Sequence, residues 1–220
     1  MTYSTENDER DSGRGRGRTP GTAAHRGLSD GVFAIACTLL VLEFKVPHVD
    51  SGSGSLWPAL KAAWPSLVAY ALSFWSILVA WAGHHRGLSA LVGTSKPLLY
   101  SNGILLMTVT FVPFPTAVLA EYINTPHANV AVMFYSGVWL AVNVMFNIWW
   151  HTMLRPIRLI SVAVSDAVLT RATLQTGTGP LIYISTTVLA YWFPVAALII
   201  ILASQIMWVV VSVEDNLARR

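Results

Sequence analysis

A serine and an aspartate, Ser29 and Asp30, stand side by side at the start of an apolar segment that runs to Pro47. A carboxylate at the mouth of a membrane-length helix costs a few kcal/mol unless it is paired or hydrated, so such a group indicates function. Two roles are open: the pair could attract cations to a pore mouth, or it could brace the helix through hydrogen bonds. We favour the brace, because a partnered carboxylate near lipid is less costly.

Farther along the same segment, Ile35, Thr38, Leu39 and Leu42 follow a helical spacing that places them on one face. That face could line a pore, or it could pack against neighbouring helices as most apolar stripes do. Thr38 carries the one hydroxyl of the stripe. Its oxygen could serve a dehydrating cation, or it could bond back to the carbonyl of Ala34.

Three motifs in the first half of the chain resemble the bacterial branch of the transmembrane protein 175 family of potassium channels. The stretch from Leu28 to Glu43 is similar to the signature that opens the family's first helix. Two departures occur, since Leu28 and Ala24 stand where the family usually has Phe and Arg, and the nearest arginine is Arg26. The other motifs are Trp81-x-x-His84-His85-Arg86 and Asn102-x-x-Leu105-Leu106-x-x-x-x-Phe111-x-Pro113-Phe114-Pro115-Thr116.

This resemblance implies a homotetramer in which the first helix of each subunit lines a central pore. One copy of the signature cannot surround an ion path, so several chains must each contribute one. Rings of Ile35, Leu39 and Leu42 would then form an apolar constriction, with Thr38 as the oxygen donor. The chain has no TVGYG-type filter, so we expect modest potassium preference. Residues expected to brace the pore helix are Ser29, Asp30, His84, Asn102 and Arg26. His84 and Asn102 are the expected partners of Asp30, and Arg26 or Arg86 could neutralise its charge.

The composition describes a membrane protein. Of 220 residues, 54% are hydrophobic and 11% are charged, with a mean hydropathy of +0.55. Residues 1–24 hold an alternating Gly-Arg run and few apolar side chains, which predicts a disordered cytoplasmic tail. The run could bind nucleic acid or anionic headgroups, but we favour a solvated tail that helps to fix topology. The channel domain is predicted over 25–216 and a cytoplasmic C-terminus over 217–220.

The apolar runs predict an all-α fold with six membrane-spanning helices. Pro194 breaks the last long run, so its first half spans only if it starts among the threonines and glycines before Pro180. The segment 156–175 carries charges and predicts an interfacial or cytoplasmic helical linker. The predicted spans lie near 28–46, 62–83, 98–120, 129–151, 175–193 and 195–213.

The basic residues predict the orientation. With six spans and the N-terminus inside, the external loops hold only Lys45 and Lys61. Such a bias is typical of a protein whose termini are both cytoplasmic, and it predicts a multi-pass protein of the cell membrane. The cytoplasmic segments would hold Arg10, Arg14, Arg16, Arg18, Arg26, Arg86, Lys96, Arg155, Arg158, Arg171, Arg219 and Arg220.

The main alternative is a membrane redox protein in which His84, His85 and His151 bind haem or a metal. Each histidine has an interfacial explanation, and facing histidines on the external side are missing from the sequence. A small-solute carrier is a second alternative, although the chain shows no paired repeats. We therefore expect a channel, not an enzyme, with no metal site and no cofactor other than permeant potassium. Its expected partners are copies of itself, the bilayer and monovalent cations, and not nucleic acid.

Overall fold

The computed structural model describes residues 20–46, 55–155, 160 and 166–217. Apart from an isolated bridge between Leu91 and Ile160, the regular structure of this part of the chain is helical, so the all-α prediction is confirmed. The helices are α1 (Pro20–Leu39), a 3-10 segment (Leu40–Glu43), α2 (Leu56–Ala62), α3 (Trp64–Ser89), α4 (Lys96–Thr110), α5 (Pro113–Tyr122), α6 (Ala128–Leu154), α7 (Asp166–Leu189) and α8 (Pro194–Leu217).

Four helical stretches of the described chain are long and apolar enough to cross a membrane: Thr22–Glu43, Trp64–Ser89, Lys96–Tyr122 and Ala128–Leu154. They correspond to the first four predicted spans. In α8, the apolar stretch among residues with described side chains is Pro194–Val210. Helix α7 has the length of a span but carries many threonines and glycines in its middle. Six spans therefore stay a prediction.

The first helix begins earlier than the sequence pattern indicated. Residues 20–24, which we assigned to the tail, belong to α1. Its first residue is Pro20, and proline suits the first helical position because its fixed φ is helical and the N–H it lacks would have no intrahelical partner there. The rest of the predicted tail, 1–19, lies outside the described residues, as do 218–220.

The third predicted span is interrupted at Phe111 and Val112, which separate α4 from α5. Pro113 and Pro115 follow directly and have no backbone N–H to continue the helical ladder. Tighter bonds replace it there: the amide of Val112 donates to the carbonyl of Val109 at 3.1 Å, and the amide of Phe114 donates to the carbonyl of Phe111 at 3.2 Å. Despite this break, the stretch Lys96–Tyr122 is long and apolar enough to cross a membrane.

Helix α7 differs from the prediction because it starts at Asp166, nine residues before the expected span, and passes through Pro180. Proline leaves the carbonyl four residues earlier, here that of Thr176, without its helical donor. The side-chain amide of Asn147 on α6 donates to that carbonyl at 2.7 Å. A neighbouring helix thus satisfies the group that the proline frees, as membrane helices commonly require.

The packing leaves α1 at the edge of the subunit. It contacts α3 and α4 on one side, while α6 forms the centre and packs against α4, α5 and α7. Small polar side chains join α6 to α7, where the hydroxyls of Ser136 and Thr186 lie 2.7 Å apart. Interfaces of this kind suit lipid, where small residues let helices approach closely.

Candidate functional site

The side of α1 that faces α3 and α4 is closely packed. Phe33, Ala36 and Leu40 are buried there, and Ser29 lies on the same side nearer the N-terminus. The spacing of these residues follows the helical repeat, so a single stripe of α1 is inserted into the subunit. Apolar contacts hold the end of the stripe near Leu40, and hydrogen bonds hold the end near Ser29.

The hydrogen-bonded end consists of His84, Asn102 and Ser29, which we call the inner relay. The Asn102 side-chain oxygen lies 2.7 Å from His84 Nε2, and its Nδ2 donates to Ser29 Oγ at 3.0 Å. Ser29 Oγ in turn donates to the carbonyl of His25 at 3.0 Å. All three side chains are buried. The relay therefore links α3, α4 and α1 inside the apolar core.

The surroundings of His84 define its chemical form. An amide oxygen can only accept, so Nε2 of His84 carries the proton and donates. Nδ1 of the same ring has no partner among the described residues. The ring lies among aromatic groups, with centroid distances of 4.4 Å to Trp149 and 5.3 Å to Phe33. His84 is therefore a structural donor in a dry environment.

Asp30 has different partners from those we predicted. Its Oδ1 accepts from Trp81 Nε1 at 2.9 Å and lies 3.1 Å from His85 Nδ1. We call Asp30, Trp81 and His85 the carboxylate site. The prediction that His84 and Asn102 hold Asp30 is wrong, because consecutive helical residues point about 100° apart and only Ser29 faces those two. The Asp30 and His85 side chains are each 35% exposed.

Arg26 lies one helical turn before Asp30 and acts on the carboxylate through charge attraction. Its side chain is partly buried. This spacing on one helix face is the one at which opposite charges stabilise each other modestly. Arg26 thus stands near the carboxylate site, without a hydrogen bond to Asp30 in the described part of the chain.

The opposite side of α1 is not covered by any other described residues of the subunit. Ile35 is 56% exposed, Leu39 is 38% exposed and Leu42 is 73% exposed. Thr38 is exposed on the same side. These four residues, which we call the open face, are therefore brought onto one surface, as their spacing predicts. Most of this surface is apolar.

The end of α1 tightens into a 3-10 turn from Leu40 to Glu43. A 3-10 helix has three residues per turn, so Leu42 lies directly beyond Leu39 along the axis. In an α-helix the same two residues would be about 60° apart. The turn therefore keeps Leu42 in line with Leu39 at the C-terminal end of the open face.

The hydroxyl of Thr38 donates to the carbonyl of Ile35 at 2.9 Å. The acceptor is thus one residue closer along the chain than the Ala34 carbonyl that the sequence also allows. The bond uses the proton of the hydroxyl and leaves its oxygen lone pairs on the exposed side. Back-bonding and cation contact are thus compatible at this residue.

Two features of the site escaped the sequence reasoning. Trp81 and His85 belong to the second motif, but spacing alone does not show which of its residues turn toward Asp30. The second feature is the ion pair beyond the 3-10 turn, where Lys45 Nζ lies 2.6 Å from Glu121. The Glu121 carboxylate raises the pKa of Lys45 above its ordinary value. Residues 76 positions apart give no local signal of such a contact.

The histidines of the redox alternative do not converge on one point. His84 donates to Asn102, His85 lies beside Asp30, and His151 Nδ1 is 2.8 Å from the carbonyl of Asn147 on its own helix. Within residues 20–46, 55–155, 160 and 166–217, no three histidine, cysteine, aspartate or glutamate side chains come together as metal ligands would.

Comparison with known proteins finds bacterial relatives that are described as potassium channels. The sequence model of the family described as "Endosomal/lysosomal potassium channel TMEM175" matches residues 26–113. A potassium channel of Chamaesiphon minutus is 53% identical over 126 residues, 56% of this chain and 62% of that protein. A potassium channel of Streptomyces collinus is 48% identical over 126 residues, 56% of this chain and 61% of that protein. The matched regions thus span less than two thirds of both relatives.

A solved structure extends the similarity to nearly the whole fold. It is the crystal structure of a lysosomal potassium-selective channel TMEM175 homolog from Chamaesiphon minutus. The two folds superpose with a TM-score of 0.78 and 39% sequence identity, over 87% of this chain and 98% of that chain. The likeness therefore includes helices beyond the matched motifs.

Proposed function

This chain belongs to the bacterial TMEM175 family, and from that premise we propose that it forms a potassium-permeable cation channel in the cell membrane. The similar Chamaesiphon protein is described as potassium-selective. The observation that carries the proposal is the two-sided first helix. One side is inserted into the subunit through the inner relay and the apolar stripe, while the open face remains available to line an ion path.

The assembly we propose is a homotetramer with α1 of each subunit around a central axis. The chain carries one copy of the first-helix signature, so one subunit supplies one wall of the path. The edge position of α1 suits this arrangement, because its open face can meet the axis without unpacking α3 or α4. Six spans with both termini in the cytoplasm agree with the distribution of basic residues.

We propose that Ile35 forms the narrowest ring and that Leu39 and Leu42 form further apolar rings toward the outside. Branched alkyl side chains around a narrow neck hold little water, so such a ring gates by excluding water and ions. Thr38 lies between these rings and supplies the oxygen nearest the ion path. Without a TVGYG-type carbonyl filter, potassium preference over sodium would be modest.

The carboxylate site and the inner relay are proposed to brace the pore helix. Each contacts α3, and the relay also contacts α4, so together they fix the rotation of α1 about its own axis. That rotation determines which residues face the pore. The competing role for Asp30, attraction of cations at the mouth, is tested by its substitution below.

The proposal is tested by potassium flux into vesicles that contain only this purified protein, with an absorption spectrum recorded on the same sample. We expect flux without a haem band in the spectrum. Empty vesicles provide the background. A haem band with no flux above background would favour the redox alternative and contradict the channel.

The pore face itself is tested by cysteine accessibility in a Cys37→Ser background. We expect water-borne thiol reagents to modify Ile35→Cys, Leu39→Cys and Leu42→Cys in the assembled protein. The matched control is Ile199→Cys, because Ile199 on α8 is 61% exposed in the subunit yet lies outside the proposed pore. Equal protection of all four positions would show that the open face meets protein or lipid, and the pore assignment would fail.

A further inference from the structure

A partly open cavity of about 600 Å³ lies between α3, α6, α7 and α8. This volume falls within the range of small-molecule sites, roughly 300–1,000 Å³. None of the residues that line it belongs to α1. The cavity is therefore separate from the open face and from the proposed ion path.

Most of the cavity wall is apolar. Aromatic rings form one part of it, and Gly83, Gly87 and Gly179 belong to the same wall. Gly87 and Gly179 let neighbouring helices approach closely, since an added Cβ would collide with the Trp149 ring at Gly87 and with Asn143 Oδ1 at Gly179. The aromatic residues of the wall are Trp139, Phe146, Trp150, Tyr183 and Trp208.

Three amide side chains, Asn143, Gln175 and Gln205, line the cavity, and the NH₂ groups of two of them have hydrogen-bond partners. Gln205 Nε2 donates to the Tyr183 hydroxyl at 2.8 Å, and Asn143 Nδ2 donates to the carbonyl of Trp139 at 2.8 Å. Both amides are held by their NH₂ groups. Their carbonyl oxygens, Gln205 Oε1 and Asn143 Oδ1, accept no hydrogen bond from any described residue. The cavity thus offers two acceptors at the edge of an apolar space.

We propose that this cavity binds a small uncharged molecule that has an apolar body and a hydroxyl group, of the phenol or alcohol class. The hydroxyl donates to an amide oxygen of Gln205 or Asn143, and the body lies against the aromatic wall. Among the described residues that line the cavity, Arg86 alone is charged, and it lies at the C-terminal end of α3. The amide and hydroxyl side chains of the wall carry no charge, which favours a neutral ligand.

The test compares thymol with para-cymene, which has the same carbon skeleton without the hydroxyl. Binding to the full chain in lipid nanodiscs is followed by tryptophan fluorescence, with protein-free nanodiscs as the partition blank. One net hydrogen bond makes thymol bind roughly threefold to tenfold tighter than para-cymene. Gln205→Met, and separately Asn143→Leu, should bring this ratio closer to one, because each removes an acceptor while keeping the side chain's approximate size.

The position of the site is tested by filling the cavity. Ala172 on α7 lines it, so Ala172→Leu should abolish saturable binding of both compounds. Ala203→Leu is the matched control, because Ala203 on α8 is exposed and does not line the cavity. Binding that survives Ala172→Leu would overturn the assignment.

Two further outcomes would also overturn it. Equal affinity for thymol and para-cymene in the unmodified protein would show a hydrocarbon site, of the kind a lipid chain fills, without recognition of a hydroxyl. No saturable binding of either compound would mean that a neighbouring copy or a further part of the chain occupies the cavity. None of these results bears on ion flux, so the ligand site and the proposed channel can fail separately.

Discussion

The two sides of α1 differ in their surroundings and in the role that we propose for each. On the inserted side, Ser29, Phe33 and Ala36 are buried and the serine completes a chain of hydrogen bonds. On the open face, Ile35 and Leu42 are more than half exposed in the subunit. Ordinary membrane helices place polar groups on the protected side, and α1 follows that rule. In addition, α1 has an apolar face that the described part of its own chain leaves exposed.

This difference indicates that the two sides of α1 have separate roles. A helix that lines a pore must keep its rotation while ions and water pass, and the inserted side supplies that fixed orientation. The open face can then be shaped for permeation without taking part in folding. The comparison predicts that substitutions on the inserted side change stability and assembly. Substitutions on the open face should change flux and selectivity in a protein that remains equally stable.

The largest effect is expected for Asn102→Ala, which removes the central member of the inner relay. It leaves the Nε2–H of His84 and the hydroxyl of Ser29 buried without that partner, at a cost of about 3 kcal/mol of folding free energy. Unfolding in denaturant and recovery of the assembled oligomer by size exclusion would measure the loss. The matched control is Asn124→Ala in the exposed connection after α5, which should change stability by less than about 0.5 kcal/mol. Equal free energies of unfolding for the two variants would contradict the stabilising role of the inserted side of α1.

The next effect concerns the open face. Ile35→Asn should keep water in the narrow neck and raise resting potassium flux on the order of tenfold, which corresponds to about 1.4 kcal/mol of barrier. Ile35→Met keeps an apolar ring and should change flux little. Both variants should match the parent in unfolding, because Ile35 contributes little to the packed interior. Unchanged flux in Ile35→Asn, measured in vesicles at equal protein content, would contradict the pore assignment.

Periodicity predicts the faces of α1 well and the contacts of its polar residues poorly. The spacing of Ile35, Thr38, Leu39 and Leu42 is a local property of one helix, so sequence alone places them together. Asp30 shows the limit of this reasoning. Its depth in the membrane is predictable, but a choice between His84 and His85 depends on the rotation of α3, which only tertiary packing determines.

The same limit applies to the fold: features set by local sequence were predictable, and features set by distant contacts were not. Apolar length predicts the first four long helices, but not the break between α4 and α5, where Pro113 and Pro115 cannot donate to the helical ladder. The predicted fifth span, 175–193, includes Pro180 but starts nine residues after α7 does, because the charges Asp166 and Arg171 indicate a linker in 156–175. Sequence also has no means to show that Asn147, on another helix and 29 residues from Thr176, compensates the carbonyl that Pro180 frees. Six spans and a tetramer stay predictions for a related reason, since both depend on the bilayer and on other copies.

A smaller effect is expected at the carboxylate site. Asp30→Asn removes the charge that attracts Arg26 and weakens the hydrogen bonds from Trp81 and His85. Because the Asp30 side chain is 35% exposed, water screens this interaction, and we expect a loss of about 1 kcal/mol or less. Assembled oligomer should decrease while potassium preference stays the same. A variant that assembles normally but changes potassium preference strongly would instead favour the pore-mouth role.

The smallest effect is expected for Thr38→Ala, which removes the hydroxyl from the open face. The hydroxyl proton is already bonded to the carbonyl of Ile35, so the oxygen presents lone pairs to the ion path and can partly replace water around a cation. A single ring of such oxygens discriminates weakly. We therefore expect the potassium-over-sodium preference to fall by roughly threefold, or about 0.7 kcal/mol, with conduction preserved.

Thr38→Ser and Thr38→Val distinguish this oxygen from the bulk of the side chain. Serine keeps the hydroxyl and the back-bond while it loses a methyl group, so it should retain the preference. Valine keeps the threonine shape without the oxygen, so it should behave as alanine does. Reversal potentials under potassium and sodium gradients measure the ratio directly. If serine and valine change it equally, side-chain volume sets the preference, and the open face of α1 acts on ions through its width and not through an oxygen ligand.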